Sequence, residues 1–203
     1  MRRRVKGSET PEIYRLKHES LGELETLAEE RKIDLYYADE ASVSLEPSVP
    51  YAWQFRDEQA FMPSEKGKGV NCFALLRRDN RVVIETTTQT MTSRFLFEQM
   101  ERFSFGLKRL TVVVLDNAAV HRARIIKERI GVWQQRGLFL FYLPRYSPHL
   151  NIVEVLWRKL KYEWLTARDY ETRETLRYAV RLALKAVGES LRIDFSGFNF
   201  SLL

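Results

Sequence analysis

Val112–Leu115 are four apolar residues in a row, running straight into Asp116, Asn117 and, after a short gap, His121. A strand that is apolar on both faces must be covered on both faces, which selects a sheet flanked by helices. The carboxyl end of such a strand lies at the sheet rim, where open α/β sheets bind their ligands. Asp116 therefore offers a hard oxygen donor at a rim. What it does there depends on partners from elsewhere in the chain.

The other segments supply the rest of such a sheet. Leu21, Leu24, Leu27 and Ala28 recur at helical spacing and predict a short amphipathic helix over 20–31, behind a polar, basic arm over 1–20. Ile33–Ala38 reads as a strand, with Leu35, Tyr37 and Asp39 alternating onto one face. Residues 41–68 read as an irregular excursion carrying Pro47, Pro50, Pro63, Tyr51 and Trp53. Val70–Arg77 and Arg81–Thr87 predict a hairpin around Asp79-Asn80, a pair that tolerates left-handed backbone. Helices are expected over Ser93–Phe105, Ala119–Gln135, Asn151–Leu165 and 171–188, with strands at Leu110–Leu115 and Leu138–Leu143. This order gives a mixed five-stranded sheet with helices on both faces, the order of a ribonuclease H-like fold.

At 203 residues the chain suits one domain with a sizeable core. Its 33 Lys+Arg against 27 Asp+Glu give a net charge of +6, compatible with a polyanionic partner such as nucleic acid. A single cysteine, Cys72, leaves no internal disulfide and no cysteine-based zinc site. No apolar run approaches the roughly 18–20 residues that span a bilayer, and none follows the charged N-terminus. A soluble cytoplasmic protein is expected.

Two further acids fall where this architecture brings them towards Asp116. Asp39 closes the first strand, and Glu154 lies in the first turn of a helix. If the first and fourth strands are parallel neighbours, Asp39 and Asp116 stand side by side, and the helix of Glu154 closes over the same edge. Each acid also has a plainer reading. Asp39 could be a turn residue, Asp116-Asn117 a helix start, and Asn151-x-x-Glu154 a capping box.

The segment from Leu143 to Lys161, Leu-Pro-Arg-Tyr-Ser-Pro-His-Leu-Asn-Ile-Val-Glu-Val-Leu-Trp-Arg-Lys-Leu-Lys, changes that balance. It resembles the third motif of DDE transposases of the mariner superfamily, most closely the bacterial insertion-sequence branch. Val112–Asn117 with His121 is similar to the second motif, and Tyr37-Ala38-Asp39-Glu40 to the first. Between Asp116 and Glu154 lie 37 residues, close to the spacing such domains use. The chain departs from the pattern at Ile152 and Val153, where the family usually has proline and isoleucine; without proline at the helix start the geometry softens.

The resemblance implies that Asp39, Asp116 and Glu154 are catalytic and bind Mg²⁺ or Mn²⁺, as two ions. Asp39 is preferred to Glu40, which faces the other side of its strand. The implied reaction is cleavage of phosphodiesters at transposon ends and joining of the 3′ ends to target DNA. Asn117 and His121 are read as supporting Asp116, with His121 beside the site rather than ligating. Trp157 is read as backing the site from the core, and Arg158, Lys159 and Lys161 as contacting DNA phosphate.

The expected division is an arm and short helix over 1–32, the endonuclease domain over 33–188 and a tail over 189–203. The apolar Phe195–Leu203 is a candidate subunit contact. Only about 32 residues precede the first strand, so the helix-turn-helix modules that usually recognise transposon ends are expected in a separate protein or domain. A homodimer acting on DNA in the nucleoid is the implied assembly. Two alternatives stand beside this reading: an inactive remnant that binds DNA or a partner, and another ribonuclease H-like nuclease such as a junction resolvase.

Overall fold

The computed structural model describes residues 9–46 and 69–198. Tyr51, Trp53 and most of the expected excursion lie outside the described residues. The elements are α1 (Pro11–Glu29), β1 (Asp34–Ser44), β2 (Gly69–Leu76), β3 (Val82–Thr87), α2 (Ser93–Phe105), β4 (Thr111–Leu115), α3 (Arg124–Lys127), α4 (Ile130–Gln135), β5 (Leu138–Tyr142), α5 (Val153–Lys159) and α6 (Arg173–Ala186).

The five strands form one sheet in the order β3-β2-β1-β4-β5. The β1–β2 and β2–β3 pairs are antiparallel, whereas β1–β4 and β4–β5 are parallel. On one face α1, α5 and α6 bury Leu21, Leu156, Trp157, Leu176, Val180 and Leu184 against Tyr37, Val112 and Val114. On the other, α2, α3 and α4 bury Leu96, Met100, Ile126 and Trp133 against Phe73, Val113 and Leu115. The alternation of Val112, Val113, Val114 and Leu115 between the two cores is the period-two geometry of a strand covered twice.

Several boundaries differ from the sequence reading. The first helix begins two to three turns earlier than residue 20. Pro11 sits in its first turn, where a missing N–H costs nothing, and the Thr10 hydroxyl accepts from Ile13 N at 3.4 Å. Residues 11–20 are therefore helix rather than loose arm. The hairpin turn is as expected, with Asn80 at φ 67°. Its amide is also buried, donating to Ile193 O at 3.0 Å and accepting from Ile193 N at 2.6 Å. That contact ties the C-terminal segment to the domain, and Ile193 and Phe195 lie in the core, 3% and 7% exposed. Phe195 is thus an internal contact; residues 199–203 lie outside the described part.

The single helix expected over Ala119–Gln135 is broken into a 3-10 turn at Val120–Arg122 followed by α3 and α4. Ala123 between them is extended, at φ −60° and ψ 154°. Tertiary contacts override the helical periodicity here, because His121 is pulled inward and is only 1% exposed. Further along, Arg129, Trp133 and Arg136 all converge on the Glu101 carboxylate of α2. The helix expected over Asn151–Leu165 is shorter as well, giving way after Lys159 to a π turn over Leu160–Trp164.

Candidate active site

Strand β1 outruns its parallel neighbour. It pairs with β4 only from Asp34↔Thr111 to Tyr37↔Val114, then continues against β2 as far as Ser44↔Gly69. Asp39 is consequently inside a strand, not at the end of one as the sequence suggested. Asp39 lies two residues past Tyr37 and Asp116 two past Val114, so both acids leave the sheet at one edge and on one face. Where β4 stops, β1 has lost that neighbour, and a cleft opens.

The third acid arrives on α5, and its position is set by Asn151. This side chain is buried; its Nδ2 donates to Ala38 O at 3.1 Å, and its Oδ1 accepts from Val153 N at 3.2 Å. One amide thus joins the start of α5 to β1 beside Asp39. Asn151 does act on the helix start, but Glu154 does not reach back to complete a capping box; Glu154 is exposed and faces the cleft. Ile152 and Val153, the departures from the family pattern, are fully buried and anchor this helix start in the core.

Asp39, Asp116 and Glu154 line one cleft of ≈ 470 Å³ together with Asn117, Ala118, Arg122, Asn151 and the loop Pro144–Pro148. Burial and neighbouring charges shift the acidities of all three. Asp39 is pushed up to about 7 by burial and then by the charges of Glu154 and Glu40; the Trp157 indole, donating to Oδ2 at 3.1 Å, partly offsets this. Glu154 is raised by burial and by Asp116, with Lys161 opposing. Asp116 behaves differently. Burial pushes it up, but hydrogen bonds from His121 and from Ala118 N at 2.9 Å bring it below its ordinary value.

His121 is the buried pivot of this arrangement. Its Nδ1 stands 2.6 Å from Asp116 Oδ1, and its Nε2 3.0 Å from Glu40 Oε1. Burial would lower the basicity of the imidazole, yet its contacts with Asp116 and Glu40 raise it to about 10. It is held as an imidazolium between two carboxylates. Sequence reasoning set Glu40 aside because it faces away from Asp39. It does, and from that opposite face it grips His121; adjacent acids on a strand with a histidine shortly after the second acid were the only available signal.

The remaining expected residues are distributed as follows. Asn117 lines the cleft, and its Nδ2 donates to Glu9 Oε1 at 3.3 Å. Lys17 of α1 donates to Leu143 O at 3.4 Å, and Tyr14 Oη lies 3.0 Å from His149 Nε2, so the N-terminal helix lies along the cleft rim. Lys161 is near enough to Glu154 to favour its ionised form. Arg158 is exposed and lines an adjoining hollow that shares Glu154 and includes His149 and Phe198. Lys159 is paired with Glu163 at 2.7 Å. Tyr146, exposed at the cleft, has a left-handed backbone at φ 58°, a strained conformation for an aromatic residue.

A family model described as DDE superfamily endonuclease matches residues 34–177, a span that contains all three acids. The chain belongs to that family. It is 26% identical over 130 residues to the insertion element IS630 uncharacterized 39 kDa protein of Shigella sonnei. That alignment takes in 62% of this chain but 37% of the relative, so the chain spans well under half of the curated relative's length.

Among solved structures, it matches a chain of the simian T-cell lymphotropic virus intasome in complex with PP2A regulatory subunit B56 gamma. The TM-score is 0.56 at 11% identity, over 80% of this chain and 51% of that one. It also matches the mariner Mos1 paired end complex with Mg, at TM-score 0.50 and 15% identity, over 96% of this chain and 67% of that one. At such identities the likeness concerns the fold, which is ribonuclease H-like, a mixed five-stranded sheet with helices on both faces. Among the described residues, no helix is long and apolar enough to cross a membrane.

Proposed function

We propose that this DDE endonuclease is the catalytic domain of a DNA transposase, cleaving phosphodiesters at transposon ends and joining the 3′ ends to target DNA. The observation that carries this reading is the convergence of Asp39, Asp116 and Glu154, from two strands and a helix, on one cleft at the ends of parallel strands. The same reading takes residues 33–188 as the catalytic domain, with 1–32 and 189–203 as flanking segments. It takes a homodimer with transposon-end and target DNA as the working assembly in the nucleoid. End recognition is assigned to a helix-turn-helix domain or protein.

The donor set suits Mg²⁺ or Mn²⁺. All three groups are carboxylates, hard oxygen ligands, and Asp39 and Glu154, raised by burial and by neighbouring carboxylates, are groups whose ionised form a divalent cation favours. Among the described residues, no group of three or more His, Cys, Asp or Glu side chains is placed, as it stands, to hold a metal ion. A pair of such ions, held by Asp39, Asp116 and Glu154, would supply water activation and stabilisation of the leaving oxygen.

The chain's own residues hold the acids in place for that chemistry. The Trp157 indole fixes one oxygen of Asp39. His121 and Ala118 N fix Asp116, and Asn151 sets the distance of α5 from β1. Water attacks phosphorus in line, forming one P–O bond and breaking the bond to the 3′ oxygen, which leaves as the hydroxyl. That hydroxyl then attacks a target phosphodiester in a second displacement of the same kind.

The test is nicking of supercoiled plasmid, and of duplexes carrying any inverted repeats found to flank the coding sequence, with Mg²⁺ or Mn²⁺. Wild type should nick, whereas Asp39→Ala, Asp116→Ala and Glu154→Ala should each be inactive. Nicking undiminished in all three variants would refute the assignment. Binding to end DNA without any metal-dependent nicking, even with a helix-turn-helix partner supplied, would replace it with a binding role.

A further inference from the structure

We propose that Arg122 is the phosphate-gripping residue of this cleft, its guanidinium taking the non-bridging oxygens of the phosphodiester that is cut. The inference rests on the transposase reading of the site and names a substrate-contacting group that reading does not include. Arg122 lines the same cleft as Asp39, Asp116 and Glu154. Its Nε is buried and has no hydrogen-bond partner among the described residues. The next three arginines are engaged: Arg124 with Glu128 at 3.2 Å, Arg136 with Glu101 at 2.9 Å, and Arg129 also with Glu101. Arg145, which lines the same cleft, is exposed to solvent where Arg122 is half-buried. Arg122 sits six residues after Asp116, but that carboxylate is already taken by His121.

A buried guanidinium nitrogen without a partner is unfavourable by itself and becomes favourable when a ligand completes it. The missing ligand has to be an acceptor, and the cleft beside it is where an acidic substrate must lie. A guanidinium presents five donors in a planar fork that matches two phosphate oxygens. Three carboxylates around a phosphodiester repel it, and a cation lining the same cleft offsets that repulsion where charge builds up at phosphorus.

The placement is rigid. Arg122 N donates to Ala119 O at 3.2 Å, closing the 3-10 turn, and the neighbouring His121 is pinned between Asp116 and Glu40. The break in the expected helix over Ala119–Gln135 thus fixes Arg122 relative to Asp116.

The experiment uses the full chain, with Arg122→Gln, Arg122→Lys and, as a charge control, Arg94→Gln on α2. Nicking of supercoiled plasmid in Mn²⁺ is measured beside binding of a short fluorescent duplex in EDTA across a salt series. Arg122→Gln should lower kcat for nicking by roughly 10²–10³-fold, with Arg122→Lys restoring part of it. In EDTA the log–log salt slope of binding should fall by about 0.9, the value for one lost phosphate contact. Arg94→Gln, which loses the same charge, should keep both the rate and the slope. An Arg122→Gln protein with the wild-type salt slope would overturn the proposal. So would one that keeps the wild-type nicking rate. If wild type itself fails to nick, the transposase reading fails, and the EDTA slope still decides whether Arg122 touches phosphate.

Discussion

Replacing His121 by glutamine would remove a buried cation while keeping a side chain of similar reach. In the wild type the imidazolium bridges Asp116 Oδ1 at 2.6 Å and Glu40 Oε1 at 3.0 Å. Its pKa of about 10, against 6.5 for a free histidine, sets a ceiling of about 5 kcal/mol on what the folded state gains by holding the proton. The Asp116 side chain is 49% exposed, so solvent screens that half of the bridge, and about 2–3 kcal/mol is the expected contribution. For a chain of this size that corresponds to a melting temperature lower by roughly 5–10 °C in the variant.

The pH dependence is the sharper signature. Between 6.5 and about 10 the folded protein keeps a proton that the unfolded chain releases, so this stabilisation is complete below 6.5 and is lost as pH rises towards 10. Thermal and urea melts of both proteins in metal-free buffer at several pH values from 6 to 10 measure the gap directly, because other titrations cancel in the difference. The gap should shrink steadily over that range. A gap that stays constant from pH 6 to 10 would show that His121 is not held as a cation, and the account of Asp116 would fall with it.

Two neighbouring residues give further expectations. The folded-state pKa of Asp39, about 7, lies above its ordinary 3.8, so ionising this group destabilises the metal-free protein progressively between those values. Asp39→Asn should therefore melt higher than wild type at pH 8 without metal, by about 1–2 kcal/mol, while losing all nicking. The stability difference should vanish near pH 4 in the same melts. Asn151→Ala removes the hydrogen bonds to Ala38 O and from Val153 N and should cost about 2–3 kcal/mol in urea unfolding. Its residual nicking should fall further than its stability alone explains, because α5 then carries Glu154 away from β1.

The sheet was legible in the sequence because each strand announced itself locally. Val112–Leu115 is apolar on both faces, and Asp79-Asn80 punctuates a hairpin, so the element order suggested the mixed sheet that the structure has. The three acids could be named because the segment from Leu143 to Lys161 resembles a DDE motif; taken one at a time, each had a plainer reading as a turn, a helix start or a cap. Element lengths were less legible. Pro11 reads as a breaker until its place at a helix start is known, and the periodicity over 119–135 is helical although the chain there turns sharply at Ala123.

The sequence by itself determined which strands form and which faces they bury, since these follow from periodicity, and its motif resemblance pointed to the three carboxylates. Only the tertiary structure decided how those carboxylates are held. The roles of Glu40, Asn151 and Arg122 depend on contacts across 81 residues from Glu40 to His121, across 113 from Ala38 to Asn151, and on the cleft that those contacts shape. Such contacts have no period and no fixed spacing. They exist only once β1 and β4 lie parallel and one outruns the other.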